Sequence, residues 1–172
     1  SQSITLQGSQ ADLLAPAVED NEMRILASVT APFNPERYFD GLMSLPAAAP
    51  MNAPFGARRS YNGGAYDRFH TGADFAGAPG SPVLAAASGR VVLADNLHIR
   101  GSTLIIDHGW GIYTIYCHMS DRFAGIGEFI TVGQRIGTVG STGRATGAHL
   151  HWELWVNGVS VDPMQWVQQS FP

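Results

Sequence analysis

The chain has 172 residues with 14 acidic and 10 basic side chains, which gives a formal net charge of −4. This length suits one ordinary domain with an extension, and 45% hydrophobic against 14% charged residues excludes a disordered chain. The mild acidic balance argues against nucleic-acid binding, no apolar run is long enough to span a membrane, and a single cysteine excludes an internal disulfide.

The first 54 residues differ in pattern from the rest of the chain. Apolar side chains recur at helical spacing over residues 16–29, with Pro16 suited to the first helical turn and Pro32 just beyond the end. Residues 46–54 are rich in proline and alanine, a composition typical of a semi-rigid linker. We therefore predict a partly helical N-terminal extension and linker over residues 1–54.

Residues 55–172 form the second predicted domain, and their pattern is that of β-structure. Short runs rich in β-branched and aromatic residues alternate with glycines, which favour tight turns. The runs are residues 82–94, 102–107, 112–118, 128–132, 135–139 and 149–156. The sequence therefore predicts a mainly β fold with an antiparallel sheet in two layers.

Histidines with a nearby carboxylate are the candidate functional residues. His70 and Asp74 are four residues apart around a glycine, so in a loop their side chains converge. His149 and His151 are two apart in a predicted strand, so both face the same side of the sheet. His118 ends the predicted strand 112–118.

Two imidazoles and one carboxylate are ligands that a catalytic zinc ion uses, with a fourth position left for water. Such an ion acidifies its water, and the surplus imidazoles are then available as general base and as oxyanion stabiliser. The metalloprotease motif His-Glu-x-x-His is absent from the sequence, so no helix-borne glutamate supplies the base. Strand geometry alone does not decide which of His149 and His151 binds the metal.

Each of these features also has a purely structural interpretation. A His-x-His pair occurs by chance in strands, His70 and Asp74 can form a simple loop hydrogen bond, and a lone His118 suits a structural role. Cys117 cannot pair with His118 as a nucleophile, because neighbouring strand residues face opposite sides. The occurrence of all the histidine groups in one small β domain nevertheless favours a single site.

Four segments of the chain together resemble the LytM/lysostaphin-type zinc endopeptidases, peptidase family M23. They are residues 69–75 (FHTGADF), 103–109 (TLIIDHG), 116–120 (YCHMS) and 140–153 (GSTGRATGAHLHWE). The resemblance extends from about residue 55 to residue 163, with the segments in the order of the family.

The resemblance assigns roles to these residues. It implies one Zn²⁺ ion per chain bound by His70, Asp74 and His151, with His118 and His149 as the catalytic histidines. It also implies an antiparallel sheet with a groove walled by loops. The activity it implies is hydrolysis of the peptide cross-links of bacterial peptidoglycan by a zinc metalloendopeptidase through a metal-activated water. That substrate places the expected site of action in the cell envelope, periplasmic or secreted.

Two alternatives remain open at this point. Some relatives in the family lack metal ligands, so the chain is alternatively a non-enzymatic LytM-like module that binds peptidoglycan or activates a hydrolase, although all five residues are present here. A secreted protease of free proteins is a weaker option. For residues 1–54 we weigh a packed extension against an inhibitory segment that occupies the groove, with Asn34 or Asn52 as a fourth zinc ligand.

Overall fold

The structure, a computed structural model, describes residues 1–171 and is mainly β. The strands are β1 (Gln2–Ile4), β2 (Met51–Ala53), β3 (Arg58–Tyr61), β4 (Arg68–Phe69), β5 (Ala73–Ala76), β6 (Pro82–Leu84), β7 (Gly89–Leu97), β8 (Gly101–Asp107), β9 (Ile112–Arg122), β10 (Phe129–Ile130), β11 (Arg135–Val139), β12 (His149–Val156) and β13 (Val159–Val161). The helices are α1 (Ser9–Asp12), α2 (Pro16–Thr30) and α3 (Pro163–Gln168). Within residues 1–171, none of these helices has both the length and the apolar character that a membrane span requires.

A large antiparallel sheet forms the body of the molecule. Its strand order is β10-β7-β8-β9-β12-β5-β2, with β11 paired to both β9 and β6, and β13 paired to β12. A smaller three-stranded sheet has the order β1-β3-β4, and in it β1 pairs in parallel with β3. The predicted mainly β, antiparallel fold with a partly helical N-terminal part is therefore confirmed.

Both faces of the large sheet are covered by apolar side chains. Along β9, Tyr113 and Ile115 pack with Leu26 of helix α2, whereas Ile112 and Tyr116 belong to the larger cluster on the other face. This alternation follows from the two-residue period of a strand. Helix α2 presents Leu26, which is fully buried, to the sheet and so covers the smaller cluster.

The N-terminal residues are packed against this sheet. Strand β2 pairs with β5, and Phe39, Met43 and Ala47 are buried in the larger cluster. Residues 46–54, predicted as a linker, thus run along the domain and contribute an edge strand. The division between residues 1–54 and 55–172 stays a prediction.

The predicted strand over residues 82–94 is divided in the structure into β6 and β7. Strand β7 begins at Gly89, where an added Cβ would lie 2.3 Å from the carbonyl oxygen of Asp107. Only glycine allows this approach to strand β8. Residues 85–88 lie outside any strand, and the two parts of the run have different partners, because β6 pairs with β11 and β7 with β8.

Candidate metal centre

Asp74 and His151 are brought together by strand pairing. They are register partners on β5 and β12, and Oδ1 of Asp74 lies 2.7 Å from Nδ1 of His151. The prediction that Asp74 lies in a loop is wrong, because residues 73–76 form a strand beside β12. His70, just after β4, places its Nε2 2.9 Å from the same carboxylate oxygen and 3.0 Å from Nδ1 of His151.

Gly72 allows this close arrangement. A Cβ at this position would lie 2.3 Å from the carbonyl oxygen of Trp152 on β12, a separation that real Cβ atoms do not show. Its φ lies outside the left-handed region. Contact with the neighbouring strand, and not a reversed turn, is therefore the reason for glycine here.

The hydrogen bonds of the two ligand-type histidines define which ring nitrogen carries the proton. Nδ1 of His70 lies 2.8 Å from the carbonyl oxygen of Pro54, so it donates there and leaves the Nε2 lone pair free. Nε2 of His151 lies 2.9 Å from Oε1 of Glu153, so it donates to that carboxylate and leaves the Nδ1 lone pair free.

Three acceptor atoms consequently face one another, namely Nε2 of His70, Nδ1 of His151 and Oδ1 of Asp74. Such a group needs a cation or an added proton to be stable. Two imidazoles and one carboxylate, each oriented by a second partner, suit zinc. These residues therefore fit the ion that the resemblance implies.

The electrostatics of the cluster follow from burial and from its hydrogen bonds. Burial opposes ionisation of Asp74, but the adjacent rings of His151 and His70 hold the pKa of this carboxyl well below its usual value. Burial lowers the pKa of His70, while the carboxylates of Asp74 and Glu153 outweigh burial at His151 and raise its pKa. The second oxygen of Asp74, Oδ2, is bound at 2.6 Å by Nη2 of Arg59.

His118 and His149 lie beside this cluster, with ring centroids 4.7 Å apart. Nδ1 of His118 donates to the carbonyl of Thr142 at 2.7 Å, and Nδ1 of His149 donates to the carbonyl of Gly147 at 2.9 Å. In the neutral rings, Nε2 therefore carries the lone pair. Nε2 of His149 is 3.9 Å from Oδ1 of Asp74.

The backbone of His118 is strained. Its φ is +59°, in the left-handed region that non-glycine residues rarely adopt, and the pairing register between β8 and β9 shifts at this point. The strand continues to Arg122, so His118 occupies an irregularity inside β9 and not its end. Burial, together with the neighbouring His149 and His151 rings, lowers the pKa of His118 well below its ordinary value.

Two adjoining cavities give access to the site. One of about 470 Å³ is lined by Asp74, His118 and His149. The other, of about 300 Å³, is lined by Met23 of helix α2 and by His151. Tyr61 and Arg144 line both cavities, with the guanidinium 4.8 Å from the centre of the tyrosine ring. The cavities form a groove beside the candidate metal centre.

Three contributors to the site were missed by the sequence reasoning: Pro54, Arg59 and Glu153. Glu153 is two residues beyond His151 on a strand, so the same period that linked His149 to His151 also indicates it. Pro54 and Arg59 reach the site from distant segments, and no local pattern marks them. The two asparagines considered as a fourth zinc ligand lie in different surroundings. Amide Nδ2 of Asn34 contacts Tyr38 and Asp107, whereas Asn52 lines the larger of the two cavities.

The fold and the site together define a class of protein. It is an antiparallel β domain whose groove contains a His-Asp-His cluster and two further histidines. The chain belongs to peptidase family M23, whose family model matches residues 68–163. This confirms the family resemblance drawn from the sequence.

Individual relatives agree with this assignment. The chain is 43% identical over 96 residues to the peptidoglycan DD-endopeptidase ShyA of Vibrio cholerae. This match covers 56% of the chain and 22% of ShyA. The chain is also 34% identical over 130 residues to the murein hydrolase activator NlpD of Salmonella dublin. This match covers 73% of the chain and 34% of NlpD. The chain thus spans about a fifth of ShyA and a third of NlpD.

Solved structures share the fold. A putative peptidase M23 from Pseudomonas aeruginosa superimposes with a TM-score of 0.76 at 30% identity, covering 91% of this chain and 63% of that one. A zinc-containing peptidase from Vibrio cholerae gives a TM-score of 0.67 at 30% identity, covering 73% of this chain and 40% of that one.

Proposed function

We propose that the chain is a zinc-dependent endopeptidase that hydrolyses the peptide cross-links of bacterial peptidoglycan, in the periplasm or outside the cell. The observation that carries the proposal is the convergence of three acceptor atoms, from His70, Asp74 and His151, beside two further histidines in one groove. The activity named for ShyA and the zinc in the Vibrio cholerae peptidase structure support it. In this proposal, residues 55–172 are the peptidase domain and residues 1–54 its N-terminal extension.

One zinc ion would be held by Nε2 of His70, Oδ1 of Asp74 and Nδ1 of His151. When bound, zinc supplies a Lewis acid that polarises the scissile carbonyl and makes a water molecule more acidic. Pro54 and Glu153 accept the N–H of the opposite ring nitrogen of each histidine, and so keep the two ligand nitrogens unprotonated. Arg59 donates a hydrogen bond to Oδ2 of Asp74, the carboxylate oxygen outside the ligand cluster.

His149 is proposed as the general base. Its Nδ1 is fixed by the carbonyl of Gly147, so its Nε2 accepts a proton from the attacking water. The water oxygen bonds to the carbonyl carbon, the C–N bond breaks, and His149 passes that proton to the amine nitrogen. His118, held by Thr142, places its Nε2 in the same groove. The negative charge of the developing oxyanion raises the proton affinity of this nitrogen, which takes a proton from solvent. The nitrogen then donates a hydrogen bond to the oxyanion and releases the proton when the C–N bond has broken.

Replacement of His149 tests this proposal directly. His149→Ala should retain one equivalent of zinc, because its Nε2 is not among the three converging atoms, and should lose most turnover. The fall in cell-wall clearing should be at least about 100-fold, the usual range for a proton-transfer group. The measurement is turbidity loss of purified cell walls together with zinc content.

The matched control is His98→Ala, since His98 is exposed and lies outside the site. It should clear walls at the parental rate, and a chelator should stop the parent. Clearing by His149→Ala as fast as by the parent would show that the assigned role is wrong.

A second candidate function is a non-enzymatic hydrolase activator, favoured by the similarity to NlpD. The proposed hydrolysis requires four histidines and one aspartate, and all five side chains are present and lie close together here. This arrangement favours the endopeptidase over the activator. The activator predicts no chelator-sensitive clearing by the protein alone, but faster clearing when a separate cell-wall hydrolase is added.

A further inference from the structure

A series of buried charged side chains connects helix α2 to His151. Glu22, in the middle of the helix and only 1% exposed, accepts a hydrogen bond from Nη1 of Arg100 at 2.9 Å. Nε of the same guanidinium lies 2.8 Å from Oε1 of Glu153. That oxygen in turn accepts the Nε2–H of His151 at 2.9 Å. Because all four residues are buried, each group depends on its neighbour in place of water.

Glu22 also fixes the backbone of the turn between β7 and β8. Its Oε2 accepts the N–H of Ile99 at 2.7 Å, and its Oε1 accepts the N–H of Arg100 at 3.2 Å. The carbonyl of Arg100 accepts the N–H of His118 at 2.8 Å. The same turn therefore supports the strained backbone of His118.

We infer that Glu22 is a positioning residue of the metal centre, acting on His151 through Arg100 and Glu153 and on His118 through the backbone of Arg100. The inference rests on the proposed zinc site. Glu22 lies outside the family match over residues 68–163, on a helix contributed by the N-terminal extension. The extension is thus part of the site's support.

The charge balance explains how Glu22 acts at this distance. Arg100 lies between two carboxylates, so its single positive charge is shared and Glu153 keeps enough negative charge to be a strong acceptor for His151. Without the charge of Glu22, Arg100 neutralises Glu153 alone. The His151 ring is then held less firmly and its Nδ1 is a weaker ligand.

Glu22→Gln tests the inference, because glutamine keeps the shape and one carbonyl oxygen but removes the charge. The control is Asp20→Asn, which makes the same charge change at an exposed position of the same helix. Circular dichroism first establishes that each variant is folded. The zinc affinity of the full chain is then measured by competition with a chromophoric chelator. We expect Glu22→Gln to bind zinc about tenfold more weakly, the lower end for outer-shell partners, and Asp20→Asn to match the parent.

The absorption spectrum of the cobalt-substituted protein gives a second readout, since a reoriented His151 changes the ligand field. If Glu22→Gln does not fold, Arg100→Lys replaces it, because an ammonium cannot bridge both carboxylates in the same geometry, and the same loss is expected. Parental zinc affinity with an unchanged cobalt spectrum in a folded variant would overturn the inference, even if that variant were less stable. A parent chain that binds no zinc would instead overturn the proposed function.

Discussion

Each of the four imidazoles at the site is oriented by an oxygen from elsewhere in the chain. The partners are the carbonyls of Pro54, Thr142 and Gly147 and the carboxylate of Glu153. Sequence spacing predicted that His149 and His151 share a face, since a strand has a period of two. It did not predict the carbonyl partners of His70 and His118, because they depend on how distant loops pack.

His108 shows a different use of the same side chain. It is fully buried, with Nδ1 2.7 Å from the carbonyl oxygen of Ser88 and Nε2 2.7 Å from the hydroxyl of Thr114. Burial lowers the pKa of His108 from 6.5 to about 4, although the hydrogen bond to Ser88 acts in the opposite direction. The ring therefore stays neutral in the folded chain at pH values where the unfolded chain binds a proton.

This difference predicts a pH dependence of stability. The contribution of His108 is fully present above pH 6.5, and it is lost as the pH falls through the folded pKa near 4, because the unfolded state binds the additional proton. The loss is about 3 kcal/mol. Urea unfolding of the parent and of His108→Gln between pH 7 and 4 measures it.

The variant lacks the titrating ring, so its free energy of unfolding should fall less steeply over this range. Other titrating groups are common to both proteins and cancel in the comparison. Equal slopes in parent and variant would contradict a depressed pKa at His108.

At the scale of elements, strands β11 and β12 match their predicted runs, because both are continuous and rich in β-branched or aromatic residues. Strands β3 and β5 were not predicted. The first reads Arg-Arg-Ser-Tyr and the second Ala-Asp-Phe-Ala, so neither carries a β-type pattern and both are formed by pairing with neighbours. The position of Asp74 opposite His151 follows from that pairing and could not be deduced from local sequence.

The contact between β5 and β12 gives a prediction at this scale. Gly72→Ala would place a methyl group 2.3 Å from the carbonyl oxygen of Trp152, and this backbone oxygen has little freedom to move. The strands must separate, which should lower the free energy of unfolding by about 1–3 kcal/mol. Zinc affinity should fall as well, because Gly72 lies between His70 and Asp74. Chemical denaturation and a zinc titration measure the two effects.

Gly125→Ala is the control, since an added Cβ there meets nothing within 4 Å and the backbone is not left-handed. Its stability should remain within about 0.5 kcal/mol of the parent. If Gly72→Ala behaved in the same way as this control, the close approach of the two strands would not be the reason for glycine.

At the scale of the whole molecule, the N-terminal residues and the sheet share one packed body. Helix α2 covers one face through Leu26, Phe39 and Met43 join the core on the other, and β2 extends the large sheet. The sequence predicted helix α2 from its apolar spacing. A packed extension was also one of the two alternatives that the sequence left open for residues 1–54. The packing of residues 46–54 was not predicted, because tertiary contacts override the linker composition of this segment.

Removal of residues 1–53 separates the two interpretations of the extension. The shortened chain loses Leu26, Glu22 and strand β2, so we expect a lower melting temperature and slower cell-wall clearing than for the full chain. Thermal denaturation and turbidity assays measure these. Faster clearing by the shortened chain would contradict this expectation and favour the inhibitory segment.

The most direct test of the account is mass spectrometry of the fragments released from purified, cross-linked peptidoglycan by the full chain. Protein stripped by a chelator and reloaded with one equivalent of zinc should convert cross-linked muropeptide dimers to monomers, and the stripped protein should not. Asp74→Asn should bind no stoichiometric zinc and release no monomers. A reloaded parent that binds zinc but leaves every dimer intact, or a stripped protein that cleaves as fast as the reloaded one, would contradict the account.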